Sequence, residues 1–202
     1  MSKKDFNARE SILNAAVEIF QSKGFAGSRM QEIADKAGIN KALLHYYFRN
    51  KQLLFEAVFK SALGQLVPEV SRIFNADISI SEKITQFVAH YIPFVSKNRF
   101  LPVFILQELN NNPAFADKFF SNNSLPHIAK FKEQVLAATQ DGEIRKLDPD
   151  QFIIDMFSMV VFPFVGRPMM MNLLQKDDRS FDDLIQNRIE HATKVLLNSI
   201  KK

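Results

Sequence analysis

The sequence predicts an all-α protein of about nine helices, in which a three-helix head is joined by a long fourth helix to a larger helical body. Apolar residues recur at helical spacing, and capping residues and glycines separate the apolar segments. No stretch shows the sustained two-residue alternation of a strand. The 202 residues, 47% of them hydrophobic, are enough for a head over residues 1–50 and a body over residues 51–202.

Capping residues predict where individual helices begin. A small polar side chain that precedes an apolar segment accepts hydrogen bonds from the first backbone N–H groups of a helix, and a Glu or Gln three residues later completes a capping box. The predicted starts are Ser28 with Gln31, Asn40, Asn50, Ser79 with Glu82, Asp148 before Pro149, and Ser180. Gly24 and Gly38 are placed to end the first and second helices.

Composition excludes several classes of protein. The chain has no cysteine, which rules out disulfides, thiolate nucleophiles and zinc-finger ligand sets. No apolar run reaches the roughly 18 residues of a membrane span, and no apolar stretch near the N-terminus has the length that a signal peptide needs. We therefore expect a cytoplasmic protein with no membrane span, no metal and no cofactor.

The positive charge is concentrated at the N-terminus. Residues 1–55 contain nine Lys and Arg against five Asp and Glu, so they carry the whole net charge of +4, whereas the remainder is balanced. Such an excess is either a solvated basic surface or the electrostatic footprint of a polyanion such as DNA. Charge alone does not choose between them.

A helix-turn-helix pattern lies inside this basic region. Residues 28–51 read as two short amphipathic helices joined at Ala37-Gly38-Ile39, and the second would enter the major groove of DNA. Any two short helices around a glycine produce a similar pattern, so the pattern by itself is compatible with a purely structural helix pair.

Residues 8–60 resemble the DNA-binding head of the TetR family of bacterial regulators. The resemblance rests on Lys23-Gly24-Phe25, Ser28, EIADKAGI (32–39), HYYF (45–48) and NKQLLFEAVF (50–59), in this order. It implies a homodimer that binds a palindromic DNA operator, a small-molecule effector in the body, and a four-helix bundle formed by the last two long helices and their symmetry mates.

Roles in DNA binding are predicted residue by residue. Lys41, at the start of the third helix, can donate to guanine or, equally well, to a phosphate. Apolar side chains beside it can meet a thymine methyl group, although the resemblance implies a small residue and a Thr at these positions. Lys51 and Tyr47 are the leading phosphate contacts, while Tyr46 either contacts DNA or packs on a neighbouring helix. The complete predicted set is Ser28, Arg29, Lys41, Ala42, Leu43, His45, Tyr46, Tyr47 and Lys51.

The region from Asp148 to Gly166 is apolar almost all round, so it needs cover on every face. We therefore predict that this helix and the last one pair with a second subunit, although the stripe on the last helix is also compatible with simple core packing. The predicted dimer contacts are Phe152, Met156, Met159, Val160, Leu184, Ile185, Ile189 and Leu196.

Fifteen of the twenty phenylalanines lie after residue 55, and Pro93 is expected to bend its helix and open space beside it. A cavity for a mostly apolar effector is one interpretation of these aromatics, and ordinary core packing is the other. The predicted cavity residues are Phe87, His90, Tyr91, Phe94, Phe104, Glu108, Phe119 and Phe157.

An enzyme is not expected. The sequence has no HExxH, no phosphate-binding glycine loop and no GxSxG, and its four histidines lack a metal-ligand spacing. A DNA-binding protein without any effector remains an alternative to a ligand-controlled regulator.

Overall fold

The computed structural model describes residues 3–113, 115, 117 and 125–202, and its architecture is all-α as the sequence predicts. Ten helices lie within this described part of the chain, with no strand among them. The first five are α1 (Lys3–Gly27), α2 (Met30–Lys36), α3 (Lys41–Tyr47), α4 (Lys51–Asn75) and α5 (Ile80–Lys97). The others are α6 (Phe100–Asn111), α7 (Ala129–Gln140), α8 (Pro149–Val165), α9 (Arg167–Leu173) and α10 (Asp178–Ile200).

Two glycines shape the head as predicted. Gly24 has a φ of 67°, which interrupts α1 where the sequence places the end of the first helix. Gly38 has a φ of 68° in the turn between α2 and α3. A side chain at either position would strain the backbone, because residues other than glycine rarely adopt this left-handed conformation.

Most predicted helix starts are confirmed, and two are wrong. The capping box of Ser79 and Glu82 forms in both directions, and the side chains of Asn40, Asn50 and Asp148 accept backbone N–H groups of the helices that follow them. Ser28 does not cap α2; Arg29 stands at that position and makes no side-chain cap. Ser180 lies inside the first turn of α10, and Asp177 caps this helix instead.

The body is built around one hydrophobic core. Buried side chains of α5, α7, α8 and α10 meet those of the second half of α4 in this cluster, which we call the body core. Helix α5 continues through Pro93 to Lys97 without ending. In the part of the chain that the structure describes, no single helix is long and apolar enough to cross a membrane; only α8 and α9 together pass that test, and they are bent by 78° at their junction.

A second cluster, which we call the head core, joins α1, α2, α3 and the first half of α4. It also contains Leu101 and Phe104 of α6, and Phe115. The head core therefore extends along α4 to Phe59 and includes part of the chain after residue 100, so it does not stop at residue 50.

Candidate nucleic-acid interface

Helix α3 presents a polar and aromatic face to solvent. Leu44 is fully buried in the head core and Phe48 nearly so, which fixes the orientation of the helix. Lys41 and Ala42 in its first turn are exposed, and Leu43 is half-buried. Asn40 caps the helix, because its Oδ1 accepts the backbone N–H of Leu43 at 2.8 Å. The start of α3 is thus rigidly held and open to a ligand, as DNA reading requires.

Two tyrosines occupy the last turn of α3. Tyr46 is 80% exposed, and its ring lies edge-on to that of Tyr47 with the centroids 5.4 Å apart. Of the two interpretations for Tyr46, the structure disfavours packing on a neighbouring helix and leaves the hydroxyl available. Phenolic hydroxyls are suitable donors to phosphate oxygens, which accept most protein hydrogen bonds in DNA complexes.

His45 is held by the backbone that follows α3. Its Nδ1 lies 3.1 Å from the carbonyl oxygen of Arg49. Since a carbonyl can only accept, Nδ1 carries the hydrogen in this pair. In the neutral ring Nε2 is then a bare acceptor, which a phosphate repels. His45 can therefore donate to a phosphate only as the imidazolium.

Ser28 and Lys51, both predicted to contact DNA, are used inside the protein. Ser28 is 3% exposed, and its hydroxyl donates to the carbonyl oxygen of Phe25 at 2.8 Å. The Lys51 Nζ donates to the carbonyl oxygens of Phe25 at 2.7 Å, Ser28 at 3.0 Å and Ala26 at 3.4 Å. It also lies 4.6 Å from the centre of the Phe25 ring. All three N–H donors of the ammonium group are occupied, so the geometry favours a positioning role over a phosphate clamp.

We expect Lys51→Met to weaken DNA binding without changing its salt dependence. The substitution keeps the apolar stem but releases the turn between α1 and α2, so the head loses rigidity and thermal stability. Lys41→Met, the matched control, should lower the slope of log K against log salt by about one, since one fewer phosphate is neutralised. Titrations of labelled duplex DNA across a salt series measure both slopes. An equal reduction by the two variants would show that Lys51 reaches a phosphate.

Arg49 is the contact that the sequence interpretation missed. It is exposed between α3 and α4, next to the predicted reading helix, and only its basic character and its position in the sequence signal this role. Arg29, in the predicted set, is likewise exposed at the start of α2.

Two other lysines of the head are engaged in ion pairs. Lys23 pairs with Glu32 at 2.8 Å and Lys36 with Glu18 at 2.5 Å, which ties α2 to α1. The hydrogen bond from Lys23 holds the pKa of Glu32 below its usual value. Lys41 and Arg49 have no ion pair among the described residues, so both are available to a polyanion.

The predicted effector residues do not form one group. Phe87, Tyr91 and Phe157 come together between α5 and α8, with ring centroids 5.0 to 5.7 Å apart. Phe104 belongs to the head core, while Phe94 contacts both cores. Glu108 accepts a hydrogen bond from Gln52 of α4 at 3.2 Å.

His90 is exposed, and its Nδ1 contacts the carbonyl oxygen of Gln86 one turn earlier. It lies outside any enclosed space and does not line an apolar cavity. Phe119 lies outside the described residues.

Tyr91 is the one polar member of the aromatic trio. Burial raises the pKa of its hydroxyl to about 12, and yet the side chain keeps part of its surface accessible. Its hydroxyl has no hydrogen-bond partner in the described part of the chain. A densely surrounded group that retains accessible surface lies in a crevice, and an unpaired hydroxyl there is a potential hydrogen-bonding site for a ligand.

The predicted dimer contacts lie largely on the wrong side of their helices. Five of them are buried in the body core of the chain itself, so a partner subunit cannot reach their side chains: Phe152, Met156, Val160, Ile185 and Leu196. The remaining three are partly buried and pack against the same core: Met159, Leu184 and Ile189. The helices are the expected ones, but the inward-facing stripe was assigned to the partner.

The opposite faces of α8 and α10 carry exposed apolar residues. Ile154, Ser158 and Phe162 follow one another at four-residue spacing on α8, and Ile154 and Phe162 are 55% and 48% exposed. On α10, Leu184 and Val195 lie on a groove-bearing face of similar character. We call these residues the outer stripe. The groove on α10 has a volume of about 590 Å³, and its lining residues are Lys176, Ser180, Asp183, Leu184, Asn187, Arg188 and His191.

Within the described ranges, no group of three His, Asp or Glu side chains is arranged to hold a metal ion.

Comparisons with known proteins agree with this geometry. Residues 12–58 match the model of bacterial regulatory proteins of the tetR family. The probable HTH-type transcriptional regulator YttP of Bacillus subtilis is 23% identical over 162 residues, which cover 79% of this chain and 78% of that protein.

Two solved structures share the fold. The transcriptional regulator FadR from Bacillus subtilis, in complex with stearoyl-CoA, has a TM-score of 0.65 at 20% identity and covers 95% of this chain and 98% of its own. AibR, in complex with isovaleryl coenzyme A and operator DNA, has a TM-score of 0.61 at 25% identity and covers 78% of this chain and 85% of its own.

Proposed function

Because the chain carries the DNA-binding head of the TetR family of transcriptional regulators, we propose that it is a homodimeric repressor which a small, mostly apolar effector releases from its operator. The observation that carries this proposal is the exposed face of α3, where unpaired cationic and hydroxyl donors surround a rigidly capped helix start. The lack of the catalytic motifs in the sequence supports a regulator rather than an enzyme, and a bacterial DNA-binding regulator acts in the cytoplasm.

The proposed dimer forms through the outer stripe. Exposed Ile154 and Phe162 on α8 are adjacent to an α10 face that contains a groove, and a second copy related by two-fold symmetry can pack its own stripe against this face. Two heads must then be about one DNA turn apart, roughly 34–36 Å, to enter successive major grooves. A dimer of this kind reads a palindromic operator.

The proposed effector site is the crevice at Tyr91. Phe87 and Phe157 provide apolar walls, and the Tyr91 hydroxyl provides one hydrogen-bonding group, which together fit a neutral apolar molecule with a single carbonyl. Two similar structures hold acyl-CoA thioesters, whose acyl portion has this chemistry. Release from DNA follows if the effector binds the DNA-incompetent state more tightly.

Tyrosine fluorescence tests the effector site directly. The chain has three tyrosines and no tryptophan, so Tyr46→Phe with Tyr47→Phe leaves Tyr91 as the single fluorophore. We expect acyl-CoA thioesters, from isovaleryl to stearoyl, to change the emission of this variant, because a ligand displaces water and pairs with the hydroxyl. Free coenzyme A is the control for absorption by adenine.

Tyr91→Phe in the otherwise unchanged protein should weaken the same ligands about five-fold, the value of roughly one hydrogen bond. An emission change that is no larger with acyl-CoA than with free coenzyme A would count against acyl groups as effectors and against this crevice as their site.

A further inference from the structure

Helix α4 passes through both hydrophobic cores. Leu54, Phe55, Val58 and Phe59 are buried in the head core, whereas Leu66, Val70, Ile73 and Phe74 are buried in the body core. A single 25-residue helix therefore connects two separately packed units. If the helix were a rigid rod, the two units would have to move together.

The helix is weakened at the boundary between the cores. Pro68 has no N–H, so the carbonyl oxygen of Gly64 loses its bond within the helix. Gly64 weakens the same turn, because glycine is a poor helix former. A Cβ atom added at Gly64 would meet nothing within 4 Å, so packing does not require glycine here. Both residues are exposed, which leaves this turn without support from either core.

Helix α6 is attached to the head by several contacts. The Phe104 ring centroid lies 3.6 Å from that of Phe55 and 5.5 Å from that of Phe25. Phe100 of the same helix lies 5.6 Å from Phe55 by the same measure, and Glu108 bonds with Gln52. Helix α6 also packs on α8 of the body. It is thus the element that contacts the head on one side and the body on the other.

We infer that α4 is jointed at Gly64–Pro68, and that α6, rather than the remainder of α4, carries the head when the body changes shape. A shift of α6 along α8 would move Phe104, then Phe25 and the turn that Lys51 holds, and with them the start of α2. This inference rests on the proposed function for its biological meaning, since it supplies the route from effector to DNA. The joint itself is a property of the protein without either ligand.

Distances between pairs of spin labels test the joint. Because the chain has no cysteine, single cysteines can be introduced without removing others. Exposed Gln31 of α2 is paired with exposed Gln107 of α6 in one sample and with exposed Ala137 of α7 in another. Dilution with unlabelled protein suppresses distances between subunits. We expect the Gln31–Ala137 distribution to be about twice as wide as the Gln31–Gln107 distribution.

Gly64→Ala with Pro68→Ala should narrow the Gln31–Ala137 distribution to the width of the other pair, because it restores an unbroken helix. The matched control is Pro93→Ala, which repairs an exposed proline inside α5 and should leave both widths unchanged. Two equally narrow distributions in the wild type would contradict the joint, and two equally wide ones would contradict the attachment of α6 to the head.

The same variants separate this inference from the proposed function. A repaired α4 should retain operator affinity but lose at least half of the effector-induced release. Wild-type protein that binds no DNA would refute the proposed repressor while leaving the distance result intact. Unchanged release from a repaired helix, with DNA binding present, would refute the joint as the route.

Discussion

Replacing Met156 with arginine is expected to unfold the body, whereas replacing Phe162 with arginine on the same helix should leave it folded and separate the two subunits. Met156 is fully buried in the body core, and an unpaired charge there costs several kcal/mol of a total stability of about 5–15 kcal/mol. Phe162 is exposed in the protomer, so an arginine at this position remains hydrated until a partner covers it.

Circular dichroism melts and sedimentation velocity at micromolar concentration distinguish these outcomes. Met156→Arg should lose its cooperative melt. Phe162→Arg should melt near the wild-type temperature, sediment as a monomer and lose tight operator binding, because each head alone reads half a site. A Phe162→Arg protein that remains dimeric would place the interface elsewhere on the surface.

The combined substitution of Lys41, Tyr46 and Arg49 by alanine should lower DNA affinity by about a thousandfold at low salt. Each residue contributes a charged or phosphate-directed hydrogen bond, and the loss of one such bond costs roughly tenfold. Since two of the three are cations, the slope of log K against log salt should fall by about two for each head. All three side chains are exposed, so the melting temperature should change little.

Lys194→Ala with Lys201→Ala is the charge-matched control for the triple variant. These residues line a shallow groove near the C-terminus, far along the chain from the head, and removing them lowers the net charge by the same amount. DNA affinity should change several-fold at most. A comparable loss in the control and the triple variant would mean that overall charge, and not the face of α3, binds DNA.

Local patterns in the sequence were sufficient for the helices and their caps. Glycines at positive φ, and capping side chains such as Ser79, act within a few residues of themselves, so their effect can be predicted without tertiary structure. Ser28 was misassigned because its hydroxyl bonds backwards to Phe25 at the end of α1. That bond depends on the turn geometry, which the capping pattern does not contain.

Helix faces and long-range contacts were harder to predict. On α8 nearly every face is apolar, so composition does not reveal which side meets the body core; Met156 and Phe162 differ only in rotation about the helix axis. Lys51 was predicted to bind phosphate from its position at a helix start, whereas its carbonyl partners come from 23 to 26 residues earlier in the sequence. The chain must be folded before such a competitor becomes visible.

Selection of bound sequences from a random duplex DNA library tests the central claim most directly. If a dimer presents two copies of α3 to DNA, the recovered sequences should share a palindrome whose half-sites are centred about one helical turn apart, and the variant lacking Lys41, Tyr46 and Arg49 should recover none. Recovered DNA with no shared sequence, or the same palindrome recovered equally well by that variant, would contradict the claim that the exposed face of α3 reads an operator.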